Sequence, residues 1–98
     1  MESYRGDVLE IAKKLTEGDR NKDYGEPYQN LGQTAALWAA YTGYEFTPEM
    51  VANCMVLVKL ARTANGPYKQ DNYVDAAAYA AIAAECRHID LSGRNDET

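Results

Sequence analysis

Two cations three residues apart, Lys59 and Arg62, stand in a stretch, 50–62, that is otherwise almost entirely apolar. That spacing makes them neighbours on one helix face, and an apolar helix carries charge only where the charge meets an anion or water. The chemistry such a pair performs is the holding of phosphate or carboxylate oxygens. Each residue alone also has a plain structural account. Lys59 can lay its stem along apolar surface and extend its amine to water, and Arg62 suits the carbonyl end of a helix. The pair together favours a ligand. Downstream lie Asp71, Asp75 and, one turn past Asp75, Tyr79. These can hold a metal, accept a ribose hydroxyl or partner the two cations. Equally, Asp71 or Asn72 can cap a helix and Asp75 can sit favourably in its first turn. Asp75 also suits a partner for Lys59.

A second polar segment, Gly18-Asp19-Arg20 followed by Asp23-Tyr24-Gly25, combines a cation, two acids, an aromatic ring and two glycines. Gly25 lets a backbone approach a ligand, Arg20 can fork onto a phosphate, and Tyr24 or Tyr28 can stack on a base. A solvated turn with Asp23 as a local cap has the same composition. Eight of the chain's aromatic residues are tyrosines, against one Phe and one Trp. A packed core prefers Phe, so this bias points to an aromatic-lined site or a wet interface. The single histidine, His88, has no nucleophile arrangement around it, and no phosphate-binding or dinucleotide glycine motif occurs. No residue is assigned a catalytic role.

The elements that must position these groups are helices. Val8, Ile11, Ala12 and Leu15 recur at helical spacing from Ser3 to Glu17, and Gly18 falls where the helix should close. A second helix is expected from about Pro27 to Thr42, with Trp38 as its core anchor and Gly43 just past its end. Thr47-Pro48-Glu49 supplies a capping hydroxyl, a proline at the first position and an early acid, so a third helix starts there and runs to about Ala64. Being apolar nearly all round, it is expected to be the central one. Asn65-Gly66-Pro67 ends it. A fourth, alanine-rich helix is expected from about Tyr73 to Arg87, followed by a polar tail, 88–98, that frays.

The chain has 98 residues, 46% of them hydrophobic, and a formal charge of −5. That size suits one domain, 1–87, an all-α compact four-helix bundle. The small core and the apolar third helix make a homo-oligomer the expected state. The acidic balance opposes the phosphate attraction on which duplex binding depends, so no duplex nucleic-acid partner is expected. No apolar run reaches membrane-spanning length and the first residues are polar, which leads to the expectation of a chain free of membranes, in the cytosol of its host cell. Cys54 and Cys86 lie in apolar helical surroundings outside any C-x-x-C pair and read as buried thiols.

Taken in order, Gly18-Asp19-Arg20, Asp23-Tyr24-Gly25, Asn30, Ala35-Ala36-Leu37-Trp38, Thr47-Pro48-Glu49, Lys59 with Arg62, and Asp71 through Asp75 to Tyr79 resemble a family of small phage and prophage proteins of unknown function. The likeness spans about residues 18–85. More distantly, the Asp-Tyr-Gly loop before a helical core is similar to MazG-like all-α nucleotide pyrophosphohydrolases, which implies a nucleotide. Those enzymes hold magnesium with E-x-x-E and E-x-x-D pairs. This chain has neither at the corresponding helix-two and helix-three positions. In size and setting it also resembles small phage proteins that sequester nucleotide signals against host defence.

The resulting reading is a phage-type nucleotide-binding protein that captures a phosphorylated nucleotide or nucleotide-derived defence signal without turnover and needs no cofactor. Its ligand-binding residues are Arg20, Tyr24, Gly25, Lys59, Arg62, Asp71, Asp75 and Tyr79. Arg20, Lys59 and Arg62 take phosphates, Tyr24 and Tyr79 contact the base, and Asp71 or Asp75 orients the cations or accepts ribose hydroxyls. The alternative is a magnesium-dependent nucleotide pyrophosphohydrolase with Asp71, Asp75 and Glu49 on the metal. A further alternative is an inhibitor that binds a host protein.

Overall fold

The computed structural model describes residues 3–18 and 25–96, with side chains as far as Gly93. Among them are four helices and no strand: α1 (Tyr4–Glu17), α2 (Pro27–Thr42), α3 (Pro48–Thr63) and α4 (Gln70–Asp96). The starts and stops have local causes. The Ser3 hydroxyl accepts the Gly6 N–H at 3.0 Å and Thr47 accepts that of Met50 at 3.1 Å, each answering a backbone donor that the helix leaves unpaired. Pro27 and Pro48 occupy first positions, where no amide hydrogen is needed. Gly43 closes α2 with φ 81°, its N–H donating to the Ala39 carbonyl at 2.8 Å. A side chain there would be strained, which is why glycine ends this helix.

The packing centre is α4, not α3. It touches α1, α2 and α3, whereas α1 packs on α4 alone and α2 and α3 pack on each other. The expectation from apolarity put α3 at the centre. Instead α3 buries Val51 and Ala52 and leaves Met50, Leu57, Val58 and Leu60 exposed. The reason lies in side-chain size. Ala76, Ala78 and Ala83 on α4 are nearly covered, and short alanine side chains on both of its sides let several backbones come close, which leucines there would not.

Two sides of α4 serve two clusters. Leu31, Ala35, Val51, Ala52, Ala83 and Cys86 form the larger one, with Tyr28, Trp38, Phe46 and Ile82 packed against it. Trp38 meets Phe46 edge to face with ring centroids 5.5 Å apart. Ala12, Val74 and Ala78 form the smaller, joined by Val8 and Ala77. Of the thiols, Cys86 is buried and its pKa is pushed up by that burial, while Cys54 is only partly covered.

Both ends of α4 differ from the sequence expectation. Gln70 opens the helix, so Asp71 lies in its first turn rather than at the cap, and the Asn72 N–H donates to the Lys69 carbonyl. Past Arg87 the helix continues to Asp96, beyond its expected end. No proline interrupts 88–96, and contacts from the other helices hold it. The Tyr28 hydroxyl donates to Asp90 Oδ1 at 2.5 Å, and Arg87 pairs with Glu49 at 3.4 Å. At 27 residues, α4 is about 40 Å long, and no helix among the described residues is long and apolar enough to cross a membrane.

The Tyr28–Asp90 bond yields a pH prediction. The hydrogen bond to the carboxylate, with burial second, raises the Tyr28 pKa above its ordinary value of 10.0. The folded state therefore holds this proton more tightly than the unfolded chain does. Its contribution is complete below about pH 10 and is lost as pH rises through the folded value. Urea midpoints at pH 9 and pH 11 should fall further apart for the wild-type chain than for Tyr28→Phe. Equal losses in both proteins would show that the bond does not form.

Candidate functional site

Where α1 diverges from α2 and α3, a cavity of about 160 Å³ opens. All four helices reach it. Leu15 and Thr16 come from the last turn of α1, Pro27, Asn30 and Leu31 from the start of α2, Lys59 from α3, and Asp75, Ala78, Tyr79 and Ile82 from α4, with Gly25 at the rim. Gly25 has φ 80°, a left-handed conformation that brings the chain into Pro27 and that a side chain would resist.

At its floor Lys59 Nζ lies 3.2 Å from Asp75 Oδ2. The lysine side chain is 13% exposed and the aspartate 33% exposed, so the ammonium is nearly enclosed while the carboxylate keeps an open side. This pairing explains how a cation sits in an apolar helix: its charge is answered from α4, and its stem packs among apolar neighbours. Asp75 and Tyr79, four apart, share the face of α4 turned toward the cavity.

Of the residues expected at a site, the structure gathers Gly25, Lys59, Asp75 and Tyr79. Arg62 and Asp71 are exposed and do not line the cavity. Three residues past Lys59, Arg62 has moved about 60° around the helix and about 4.5 Å along it. Asp71 lies one turn before Asp75, outside the rim. Arg20 and Tyr24 fall outside the described residues. Glu49 is ten positions before Lys59, about 15 Å along α3, and is engaged with Arg87. No group of three His, Cys, Asp or Glu side chains that could hold a metal occurs among the described residues, so Asp71, Asp75 and Glu49 do not meet.

Sequence reasoning missed the α1 wall, Leu15 and Thr16, and the amide of Asn30. Nothing in α1 marks them, because Leu15 carries the same periodicity as the core residue Ala12. Asn30 entered only as part of the family likeness, and its place beside Leu31 in the first turns of α2 is the signal that marks it as a lining residue.

The tyrosine excess finds a different outlet. At the other end of α1, Tyr4, Arg5, Val8 and Leu9 form an open groove with Tyr68 and Tyr73. The hydroxyls of Tyr4 and Tyr68 are 2.5 Å apart, and the Tyr68 and Tyr73 rings stack with centroids 6.1 Å apart. The hydrogen bond with Tyr4 raises the Tyr68 pKa.

Lys59→Met tests the pair directly. Methionine fits the channel of the lysine stem but leaves Asp75 without its cation. Because a third of that carboxylate reaches solvent, water can replace part of what is lost. The expected destabilisation is about 1–3 kcal/mol, below the roughly 3–5 kcal/mol of a fully buried pair. Denaturant melts measure it; no loss at all would mean that the pair contributes nothing to the fold.

Comparison with known proteins places the chain. The family model described as a domain of unknown function, DUF6378, matches residues 7–87. The Gene 55 protein of Mycobacterium phage L5 is 45% identical over 76 residues, covering 76% of this chain and 49% of that protein. The Gene 55 protein of Mycobacterium phage D29 is 41% identical over 73 residues, covering 74% of this chain and 48% of that protein. The chain thus spans about half the length of these relatives. No solved structure matches it. With most of its length matched and relatives of this identity, the chain belongs to the DUF6378 family.

Proposed function

We propose that the chain is a phage-type nucleotide-binding protein whose ligand enters the cavity between α1, α2, α3 and α4 and is held there without turnover. The observation that carries this reading is the convergence of Lys59, Asp75, Tyr79 and the left-handed Gly25 on one cavity from separate elements. Such a cavity, with apolar walls and a few placed polar groups, has the make-up of a small-molecule site. At about 160 Å³ it is smaller than the roughly 300–1,000 Å³ that engulf a drug-sized ligand. It therefore takes one end of a nucleotide and leaves the rest outside. Asp75 is engaged by Lys59 and Glu49 by Arg87, which favours capture over metal-assisted hydrolysis. A defence signal built from nucleotides is the target that suits a small phage-type protein.

The groove of Tyr4, Tyr68 and Tyr73 supports a second reading, docking of a host protein, because tyrosines in such numbers are typical of interfaces. One panel separates these readings. Linear and cyclic nucleotides and ADP-ribose derivatives are scanned for thermal shift and then recovered for analysis. Stabilisation by at least one, recovered intact, is the expected result. Stabilisation followed by magnesium-dependent release of phosphate or pyrophosphate, lost in Asp75→Asn, would replace capture by hydrolysis. A silent panel together with stoichiometric capture of one host protein would replace it by protein binding.

Self-association belongs to the same proposal. Met50, Leu57 and Leu60 form an exposed apolar stripe on α3 spaced for helix pairing. Light scattering should report a mass above 10.9 kDa that returns to it in Leu57→Lys. A wild-type monomer at all concentrations would remove this part.

A further inference from the structure

Lys59 and Asp75 are the only charged groups among the described residues lining the cavity, and together they sum to zero. A phosphate placed against Lys59 would also meet the Asp75 carboxylate beside it, a like charge. The pair is therefore poorly suited to a polyanion. It suits a neutral group that offers donors to the carboxylate and an acceptor to the ammonium.

The order of atoms narrows this further. The ion pair runs through Asp75 Oδ2, at 3.2 Å from Nζ, so Oδ1 is the carboxylate oxygen outside that contact. Read across, Oδ1, Oδ2 and Nζ present acceptor, acceptor and donor. Guanine presents the complement on its pairing edge: amino donor, ring N–H donor and O6 acceptor. Cytosine offers guanine this same acceptor, acceptor and donor order, so the ion pair imitates cytosine. Adenine, cytosine and uracil lack two adjacent donors and match only part of the array. Around the pair, Leu15, Leu31 and Ile82 supply apolar walls for a flat ring, and Tyr79 supplies an aromatic one.

We propose that the Lys59–Asp75 pair reads the pairing edge of a guanine base, so that the captured ligand is a guanine nucleotide with its sugar and phosphates outside the cavity. This rests on the nucleotide-binding reading above and deepens it. Two hydrogen bonds to a carboxylate and one from an ammonium are charge-assisted, the class that separates a correct base from one lacking a single group.

Calorimetric titration of the wild-type chain with the monophosphates of guanosine, inosine, xanthosine, adenosine, cytidine and uridine tests it. The guanine compound should bind at least about tenfold more tightly than the inosine compound, which lacks only the amino donor. In Asp75→Asn the side-chain amide offers a donor where the carboxylate offered an acceptor. The preference should then pass to xanthosine monophosphate, which has a carbonyl in place of the amino group. A merely structural aspartate would produce no such exchange. Should Asp75→Asn fail to fold, as read from its helical circular dichroism, the wild-type guanosine-to-inosine ratio decides alone. Equal binding of all six compounds, or preference for another base, overturns the guanine assignment and leaves nucleotide capture standing. Binding of none of them by the wild-type chain overturns the guanine assignment, and with a silent nucleotide panel it overturns capture as well.

Discussion

The close approach of three helices to the alanines on the two sides of α4 is the constraint from which the rest of the architecture follows. Ala76, Ala78 and Ala83 are covered because their side chains are too short to hold a neighbouring backbone away. Each contributes little on its own, since a methyl group removes little apolar area from water. Larger side chains, Leu31, Val51, Val74 and the Trp38–Phe46 contact, supply most of the burial. The alanines supply the geometry. Because α1 docks on one side of α4 and the α2–α3 pair on the other, α1 has no second helix to pack against, and the gap between these groups is the cavity.

An ion pair in such a gap has a particular balance. Lys59 has lost most of its water, and its attraction to Asp75 must offset that loss. Full enclosure of both groups would make the pair a fixed structural element. Here the lysine is nearly enclosed and the aspartate is one-third open. The carboxylate is thus held by the fold and still presents an edge to the cavity, the condition for a preorganised recognition group. The polar contacts at the far end of α4, Tyr28 with Asp90 and Arg87 with Glu49, tie the start of α2 and of α3 to that helix. They hold α2 and α3, each of which contributes to the cavity, against α4.

The family relationship bears on the extent of the protein rather than on its chemistry. Residues 7–87 of the domain of unknown function include every described residue that lines the cavity. The relatives from phages L5 and D29 are about twice as long as the matched segment. The cavity belongs to the shared part.

Helix boundaries were legible in the sequence where a local interaction sets them: the Thr47 cap, the prolines at 27 and 48, the glycine at 43. The pairing of Lys59 with Asp75 was one of several partnerships the sequence offered, and the structure forms it. The central role of α4 was not legible, since hydropathy ranks α3 higher and cannot express how closely backbones approach. Neither was the extension of α4 to Asp96, into which Tyr28 of α2 reaches at Asp90. Local chemistry in the sequence therefore determined where α1, α2 and α3 begin and offered Asp75 among the partners of Lys59. Only tertiary structure decided that Arg62, Asp71 and Glu49 stand away from the cavity while Leu15, Thr16 and Asn30 line it, because that depends on the rotation of each helix about its own axis, which is set by its neighbours.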